Sequence, residues 1–439
     1  MILYKSVWVN GKLLLFCREN IMTQEEIFAT ALGIQAPWFV KSIDLDIVKE
    51  EMNIRVDFAR GSLFKHIDEK TGEISEHKAY DTSEKTWRHM NFFQYRCYLQ
   101  VRIPRVKLEN GKVKQVKVPW DGLSHGFTLL FEALTMQLVK VMPVHQVCET
   151  IGTYDSKVWN IIKTYTKACR ELSDYSKVQQ VGMDETAARR GHDYVTLFVD
   201  MEEKKTLFVT KGKSNETIKD FVKDLQDHGG NADNIQQVSC DMSPAFIKGV
   251  AENLPLADIT FDKFHIIKVI NKAIDEVRKE EVKTNPLLAG SKFVFLKNRA
   301  NLTEKQKAKY RDICMSKLNI QTFKALQIRE SFQQIYLCEN KDDFEPLLKK
   351  WYFWATHCKI PKIIKAAKTI KQHWNGVVNW AESRITNGIL EGFNSISQAA
   401  KAKARGYEKT DTIKAIIYVL TGKLDFSLIN PYCATHTLL

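Results

Sequence analysis

Three acids stand where a carboxylate needs a reason: Asp184 in VGMDET, Asp241 in VSCDMSPAF and Glu391 in NGILEGFN. The apolar runs before Asp184 and Asp241 read as core strands, and a carboxylate there is costly to bury without a partner. For either acid alone, a structural salt bridge is the simpler account. Two such acids on neighbouring strands reverse the balance, because a shared divalent cation offsets their repulsion. Glu391 opens a late helix and is flanked by Gly388 and Gly392. Glycine costs helix stability, so close approach of a backbone or a nucleic acid is a reason for both. Two Mg²⁺ ions held by such acids stabilise the attacking and leaving oxygens of an in-line phosphoryl displacement.

The elements around these acids follow from pattern. VQQVGMDETAA and YVTLFVDMEEKKTLFVT read as three strands with short turns. SNETIKDFVKDLQDHG is an amphipathic helix, capped by Ser214 or Asn215 and stopped at Gly229. IQQVSCD is a strand, SPAFIKGVAENL a helix with Pro244 in its first turn, and ADITFDKF a further strand. A meander followed by helix, strand, helix, strand, helix fits a mixed sheet flanked by helices, as in ribonuclease-H-like domains. Residues 266–375 read as helical and highly charged. Trp351 and Trp354 are spaced there to share one helix face, as core or as rings that stack on unpaired bases.

Upstream, residues 84–120 read as strands that turn at Asn110-Gly111. Val or Ile alternates with Lys, Arg or Gln, so one face is buried and the other cationic. Arg88 and Arg105 are the candidate DNA contacts there, and a plain solvated face is an equal reading. Val7 to Phe16 reads as a hairpin around Asn10-Gly11. HGFTLLFEALTMQLVKVM, PVHQVCET and DSKVWNIIKTYTKACRE read as three helices, the last capped by Asp155 or Ser156. With the tight turn at Ile151-Gly152 this is a helix-turn-helix pattern. Lys157, Asn160 and Lys163 then face DNA, while Val158, Ile161 and Ile162 pack inward.

Bulk properties agree. A net charge of +13 favours a polyanionic partner, nucleic acid before membrane. The nine cysteines are scattered without a C-x-x-C pair, which suggests reduced thiols in a cytosol. The apolar start is broken by Asn10, Gly11 and Lys12, so neither a signal segment nor a membrane span is expected.

Taken in order, TWRHMNFF, RIPRV, VPW, VGMDE, CDMSPAF, FDKFHIIK, NGILEGFN, KAKARGY and TGKLDF resemble the bacterial insertion-sequence transposases of the ISL-three type. The likeness covers about residues 46 to 426. It implies a DDE triad of Asp184, Asp241 and Glu391 as catalytic and metal-holding residues, using two Mg²⁺ ions with Mn²⁺ as substitute. It also implies binding of terminal inverted repeats, strand cleavage and transfer to target DNA, by a homodimer or higher oligomer in the bacterial cytoplasm, at the nucleoid. A silent DNA-binding descendant and a ribonuclease-H-like nuclease are the alternatives. His265 lies in a matched motif, either touching a scissile phosphate or a metal-bound water, or packing at a helix start. Lys401, Lys403 and Arg405 would carry the DNA backbone along the helix of Glu391.

The implied organisation is multidomain, mixing α+β and α/β parts. Residues 1–45 form an N-terminal extension and 46–122 a small β domain resembling a degenerate zinc ribbon. The helix-turn-helix covers 123–176, the ribonuclease-H-like core 177–269 and 376–439, and an all-helical insertion 270–375. Relatives carry a cysteine zinc ribbon, but Leu108 and Gly111 stand where its cysteines belong. Cys97 alone cannot make a tetrahedral site, so the expectation is a ribbon-like fold without structural zinc.

Overall fold

The structure, a computed structural model, describes residues 4–9, 12–17, 22–68, 72–189, 193–315 and 320–434, and the side chains of all these except residues 4–17 and Met315. It divides into two compact units. One comprises residues 1–165 with 425–439, the other residues 166–424.

In the first unit, β1 (Tyr4–Val9) pairs antiparallel with β2 (Lys12–Cys17), as the Asn10-Gly11 signal predicts. Helix α1 (Gln24–Ala31) begins with a capping box between Thr23 and Glu26. A sheet follows from β3 (Trp38–Asp46), β4 (Glu51–Phe58), β5 (Leu63–Ile67), β6 (Ile74–Phe92), β7 (Tyr95–Lys107) and β8 (Val113–Gln115). Its order is β3-β4-β7-β6-β5, with β8 on β7. The Asn110-Gly111 turn joins β7 to β8 as expected, with Gly111 at φ 77°. The expected boundary at residue 45 is corrected: β3 runs through it and is paired with β4. A six-stranded sheet over Trp38, Ile54, Trp87, Leu99, Ile103 and Trp120 replaces the expected small ribbon.

The expected cationic sheet face is also corrected. Several of its bases are met by acids across the strands: Arg102 by Asp57 at 2.8 Å, Arg96 by Glu51 at 3.2 Å and Lys41 by Asp57 at 3.4 Å. Arg105 grips Asp81 through two hydrogen bonds of 2.7 and 2.5 Å. Such a face is electrically mixed rather than a basic track.

Helices α2 (Leu129–Val141), α3 (Val144–Ile151) and α4 (Asp155–Glu171) follow where expected. Gly152 closes α3 in the left-handed region at φ 66°. Asp155 is the first helical residue of α4 rather than its cap. Glu132 of α2 is fully buried and accepts from Leu123 N (2.8 Å), Ser124 N (2.7 Å) and the Tyr165 hydroxyl (2.9 Å). Burial pushes its carboxyl up to about 7, although these donors favour the anion. One carboxylate therefore ties the turn before α2 to α4.

The second unit opens with β9 (Gln180–Ala187), β10 (Tyr194–Asp200) and β11 (Lys205–Lys211), an antiparallel meander. Then come α5 (Glu216–Asp227), β12 (Gln237–Cys240), α6 (Pro244–Asn253), β13 (Asp258–Phe261) and α7 (Lys263–Glu281). The sheet order is β11-β10-β9-β12-β13, with β12 parallel to both neighbours. Helices α8 (Lys292–Leu296), α9 (Glu304–Met315), α10 (Gln321–Ile335), α11 (Lys341–Thr356), α12 (Pro361–Gln372), α13 (Trp374–Val378) and α14 (Trp380–Ser383) continue the chain. The unit ends with α15 (Gly388–Lys403) and α16 (Thr410–Thr421).

The helical region shares the sheet's core. One apolar cluster runs from Val181, Met183 and Phe261 through Ile266, Ile270 and Ile274 of α7 to Phe332, Phe344, Trp351 and Ile370. Helix α7 passes straight through residue 270, where the insertion was expected to begin. Among the described residues, no helix is long and apolar enough to cross a membrane.

The paired tryptophans separate. Trp351 is 3% exposed, packs on Phe332 with ring centroids 4.6 Å apart, and donates to Ile328 O at 2.8 Å. Trp354 remains 36% exposed. Trp351 is thus core and cannot stack on a base. Trp351→Ala is expected to cost about 3–5 kcal/mol of stability, read as a large fall in melting temperature, whereas an unshifted transition would mean that the ring is not core.

Candidate active site

Strand register brings the first two acids level. Parallel β12 meets β9 as Gln237 with Gln180, Val238 with Val181 and Ser239 with Gly182. Two residues further, Asp241 stands beside Asp184. On the other side of β12, Cys240 is opposite Phe261, so the next pair is Asp241 and Asp262. Level residues on neighbouring strands share a face, which gathers Asp184, Asp241 and Asp262 at one end of the sheet.

Electrostatics bear the marks of that gathering. Burial raises the Asp184 carboxyl above its usual range, and Asp241 and Asp262 push it the same way, while His265 opposes them. Burial also raises Glu185, next along β9, where Lys213 pulls it back and Asp241 and Asp184 add to the rise. His265 Nδ1 lies 3.0 Å from Asp262 Oδ2. That hydrogen bond raises the imidazole against the opposing effect of burial, with further support from Asp184 and Asp241. Asp241 Oδ1 accepts from Ser243 N at 2.9 Å, shaping the turn into α6.

Helix α15 covers this face by a match of periods. Leu390 sits at Gly182, Asn394 at Asp184 and Gln398 at Thr186. Four helical residues rise about 6 Å, and two strand residues advance about 6.6 Å, so the elements stay in step. Asn394 Nδ2 donates to Asp184 Oδ2 at 2.7 Å, and Gln398 Nε2 to Thr186 Oγ1 at 2.7 Å. Lys401 Nζ ends the series on Ala187 O at 2.6 Å. Behind them, Ser239 of β12 donates to Asn387 Oδ1 at 2.6 Å, just before α15.

The close approach expected at Gly388 and Gly392 lies elsewhere. A Cβ on Gly392 would meet nothing within 4 Å, and one on Gly388 only Thr386 Oγ1 at 3.9 Å. At Gly182, by contrast, a Cβ would collide with Met201 Sδ and come within 2.9 Å of Leu390 Cδ1. The glycine that lets helix meet strand is on the strand.

Glu391 is exposed in the first turn of α15, one turn before Asn394. Among the described residues, no three His, Cys, Asp or Glu side chains converge as a metal cage. The donor set nonetheless fits a divalent cation. Asp184 and Asp241 have no Lys or Arg ion pair among the described residues, and their mutual repulsion calls for positive charge. Mg²⁺ keeps several waters and needs few carboxylates.

The expected DNA contacts fall into two groups. On α4, Lys157, Asn160 and Lys163 are exposed while Val158, Ile161 and Ile162 are fully buried, as read from the sequence. Lys403 and Arg405 are exposed, but Arg405 lies past the end of α15 at φ 58°. Three expectations are corrected. Arg88 is buried, donating to Cys97 O at 3.2 Å and Ile151 O at 3.0 Å and lying over the Phe131 ring. Arg105 is paired with Asp81. The amine of Lys401 is taken by β9. Sequence reading missed Asn394, Gln398 and Asn387 as supporting groups, and held Asp262, with Glu185, only as a rival of the triad acids for the metal. A polar stripe at 391, 394, 398 and 401 was the available signal.

A DDE transposase family model of ISL3 type, described as Transposase, matches residues 181–417, more than half of the chain. A second, described as the helix-turn-helix domain of transposase family ISL3, matches residues 116–166. The chain is 25% identical over 343 residues to the transposase for insertion sequence element IS1001 of Bordetella parapertussis, covering 75% of this chain and 82% of that protein. It is 23% identical over 367 residues to the transposase for insertion sequence element IS1557 of Mycobacterium tuberculosis, covering 76% of this chain and 80% of that one.

Filling the Gly182 gap tests the docking of α15. Gly182→Ala is expected to destabilise the second unit by about 1–3 kcal/mol through overpacking. Adding Met201→Ala should recover part of that loss, giving a non-additive cycle. Strict additivity in thermal or urea unfolding would refute the contact.

Proposed function

The chain belongs to the ISL3 family of DDE transposases, and from that premise we propose that Asp184, Asp241 and Glu391 hold the divalent ions with which it cuts and joins DNA. The observation that carries the reading is the level placement of Asp184 and Asp241 on adjacent parallel strands, beneath the helix that bears Glu391. The chain is a DNA-binding DDE transposase, and enzymes of this class generally act with divalent metal ions. Mg²⁺ is the ion this reading takes, with Mn²⁺ as substitute. The meander followed by two parallel strands supports a ribonuclease-H-like core.

When bound, the ions polarise the scissile phosphate and stabilise both oxygens of an in-line displacement. The protein's own groups do the rest. Asp184 in mid-β9 and Asp241 just past the end of β12 project negative charge side by side, and α15 supplies Glu391 from above. Asp262 holds the His265 ring and favours its protonated form, so the imidazolium offers a donor to a phosphate oxygen. Lys157, Asn160 and Lys163 of α4 are proposed to read the terminal inverted repeats, the recognition role of the last helix in this motif. Lys403 and Arg405 are proposed to contact the backbone of bound DNA. A homodimer or higher oligomer on DNA belongs to the same reading, since two element ends must be joined to one target.

Asp184→Asn, Asp241→Asn and Glu391→Gln are each expected to abolish nicking at the element boundary in Mg²⁺, with end binding in gel shift unchanged. Near-normal cleavage by any one of them would remove that acid from the triad. His265→Ala is expected to slow cleavage by about 10²-fold or more. An unaltered rate would leave His265 as a packing residue.

A further inference from the structure

Resting on the metal-site reading above, we propose that Asn394 is a positioning residue that orients Asp184 for the metal and links it to Glu391. Asp184 has one donor on each oxygen: Glu185 N on Oδ1 at 2.8 Å and Asn394 Nδ2 on Oδ2 at 2.7 Å. A carboxylate offers about four lone-pair sites, so two stay open while the group is held in place. Both donors are neutral amides. Lysine or arginine at 394 would fix the same rotamer but cancel the charge a cation needs. Asparagine orients Asp184 and leaves its charge intact.

Position supplies the link. Asn394 is three residues after Glu391, so the two lie on one face of α15 and move together. The helix is locked on either side of Asn394, by Leu390 at Gly182 and by Gln398 at Thr186. A shift of α15 would therefore displace Glu391 and release Asp184 in one movement.

The other end of the amide points to a ligand. Asn394 Oδ1 is buried and has no hydrogen-bond partner among the described residues. Turning the amide over does not help, because it would set that oxygen against the Asp184 carboxylate. A buried, unpartnered acceptor calls for a donor. Water held by a divalent cation is a strong O–H donor, and Mg²⁺ retains several such waters. The same side chain would thus serve the ligand through Nδ2 and the ion's hydration through Oδ1. Partners behind a metal ligand commonly control affinity as well as activity.

The test uses the full chain and Mn²⁺ as the probe, with binding followed by the electron paramagnetic resonance signal of free Mn²⁺. Asn394→Leu and Asn394→Ser are both expected to weaken Mn²⁺ binding about 10- to 100-fold, with melting temperatures near the parent's. The Mg²⁺ concentration for half-maximal nicking should rise in parallel, while the rate at saturating Mn²⁺ largely returns. A helix-docking role alone would lower stability and leave the metal midpoint in place. If either variant, folded, binds Mn²⁺ like the parent, the positioning role is wrong. Asp184→Asn separates the two readings. If it abolishes Mn²⁺ binding while the Asn394 variants do not, this inference alone fails. If it leaves binding intact, the metal site itself fails.

Discussion

The contact between α15 and β9 holds the catalytic unit to its purpose. Strand side chains on one face recur every two residues and helix side chains on one stripe every three or four. Leu390, Asn394 and Gln398 therefore stay in step with Gly182, Asp184 and Thr186 along the whole contact. Gly182 sets the depth of that contact, because any side chain there would meet Met201 and Leu390. A helix from far along the chain is in this way docked on a strand that was complete two hundred residues earlier.

Charge explains why this end of the sheet is not ordinary core. Asp241 and Asp262 directly follow two neighbouring strands, level with Asp184 on a third, and burial together with the charges of Asp241 and Asp262 disfavours the ionised form of Asp184. A fold under selection for stability alone would pair or remove them. Here Asp262 is engaged by His265, and Asp184 is restrained by neutral donors only. The arrangement retains negative charge at one end of the sheet at the cost of stability.

The first unit treats its charges in the opposite way. Most strongly, Arg102, Arg105 and Arg96 are matched by Asp57, Asp81 and Glu51 across the sheet. Arg88 is drawn inside to satisfy backbone carbonyls. Lys157 and Lys163 of α4 remain exposed, because Val158, Ile161 and Ile162 use up the inward face of that helix. Buried Glu132 then holds α4 through Tyr165. Identical residue types are thus paired on the sheet and left exposed on the helix, according to what faces them.

Much of this was legible in one dimension. Apolar periodicity and turn residues are local, and they determined the meander, the alternation after it, the three helices at 129–171 and the hairpins at Asn10-Gly11 and Asn110-Gly111. They also marked Asp184 and Asp241 as misplaced for ordinary core residues. What they could not give depends on partners distant in the chain. Strands β3 and β5 lack a clean alternation, and their pairing with β4 and β6 decides them. Whether Arg105 or Lys401 is free depends on Asp81 or Ala187 lying opposite. Trp351 and Trp354 look alike in sequence, yet α10 covers one and leaves the other half open. Even the reason for a glycine moved, from the helix at Gly388 and Gly392 to the strand at Gly182. Sequence fixes what each segment prefers by itself, because those preferences act over a few residues. Only the tertiary structure decides which charges are cancelled and which are left to act, because that depends on what the folded chain sets within a few ångströms.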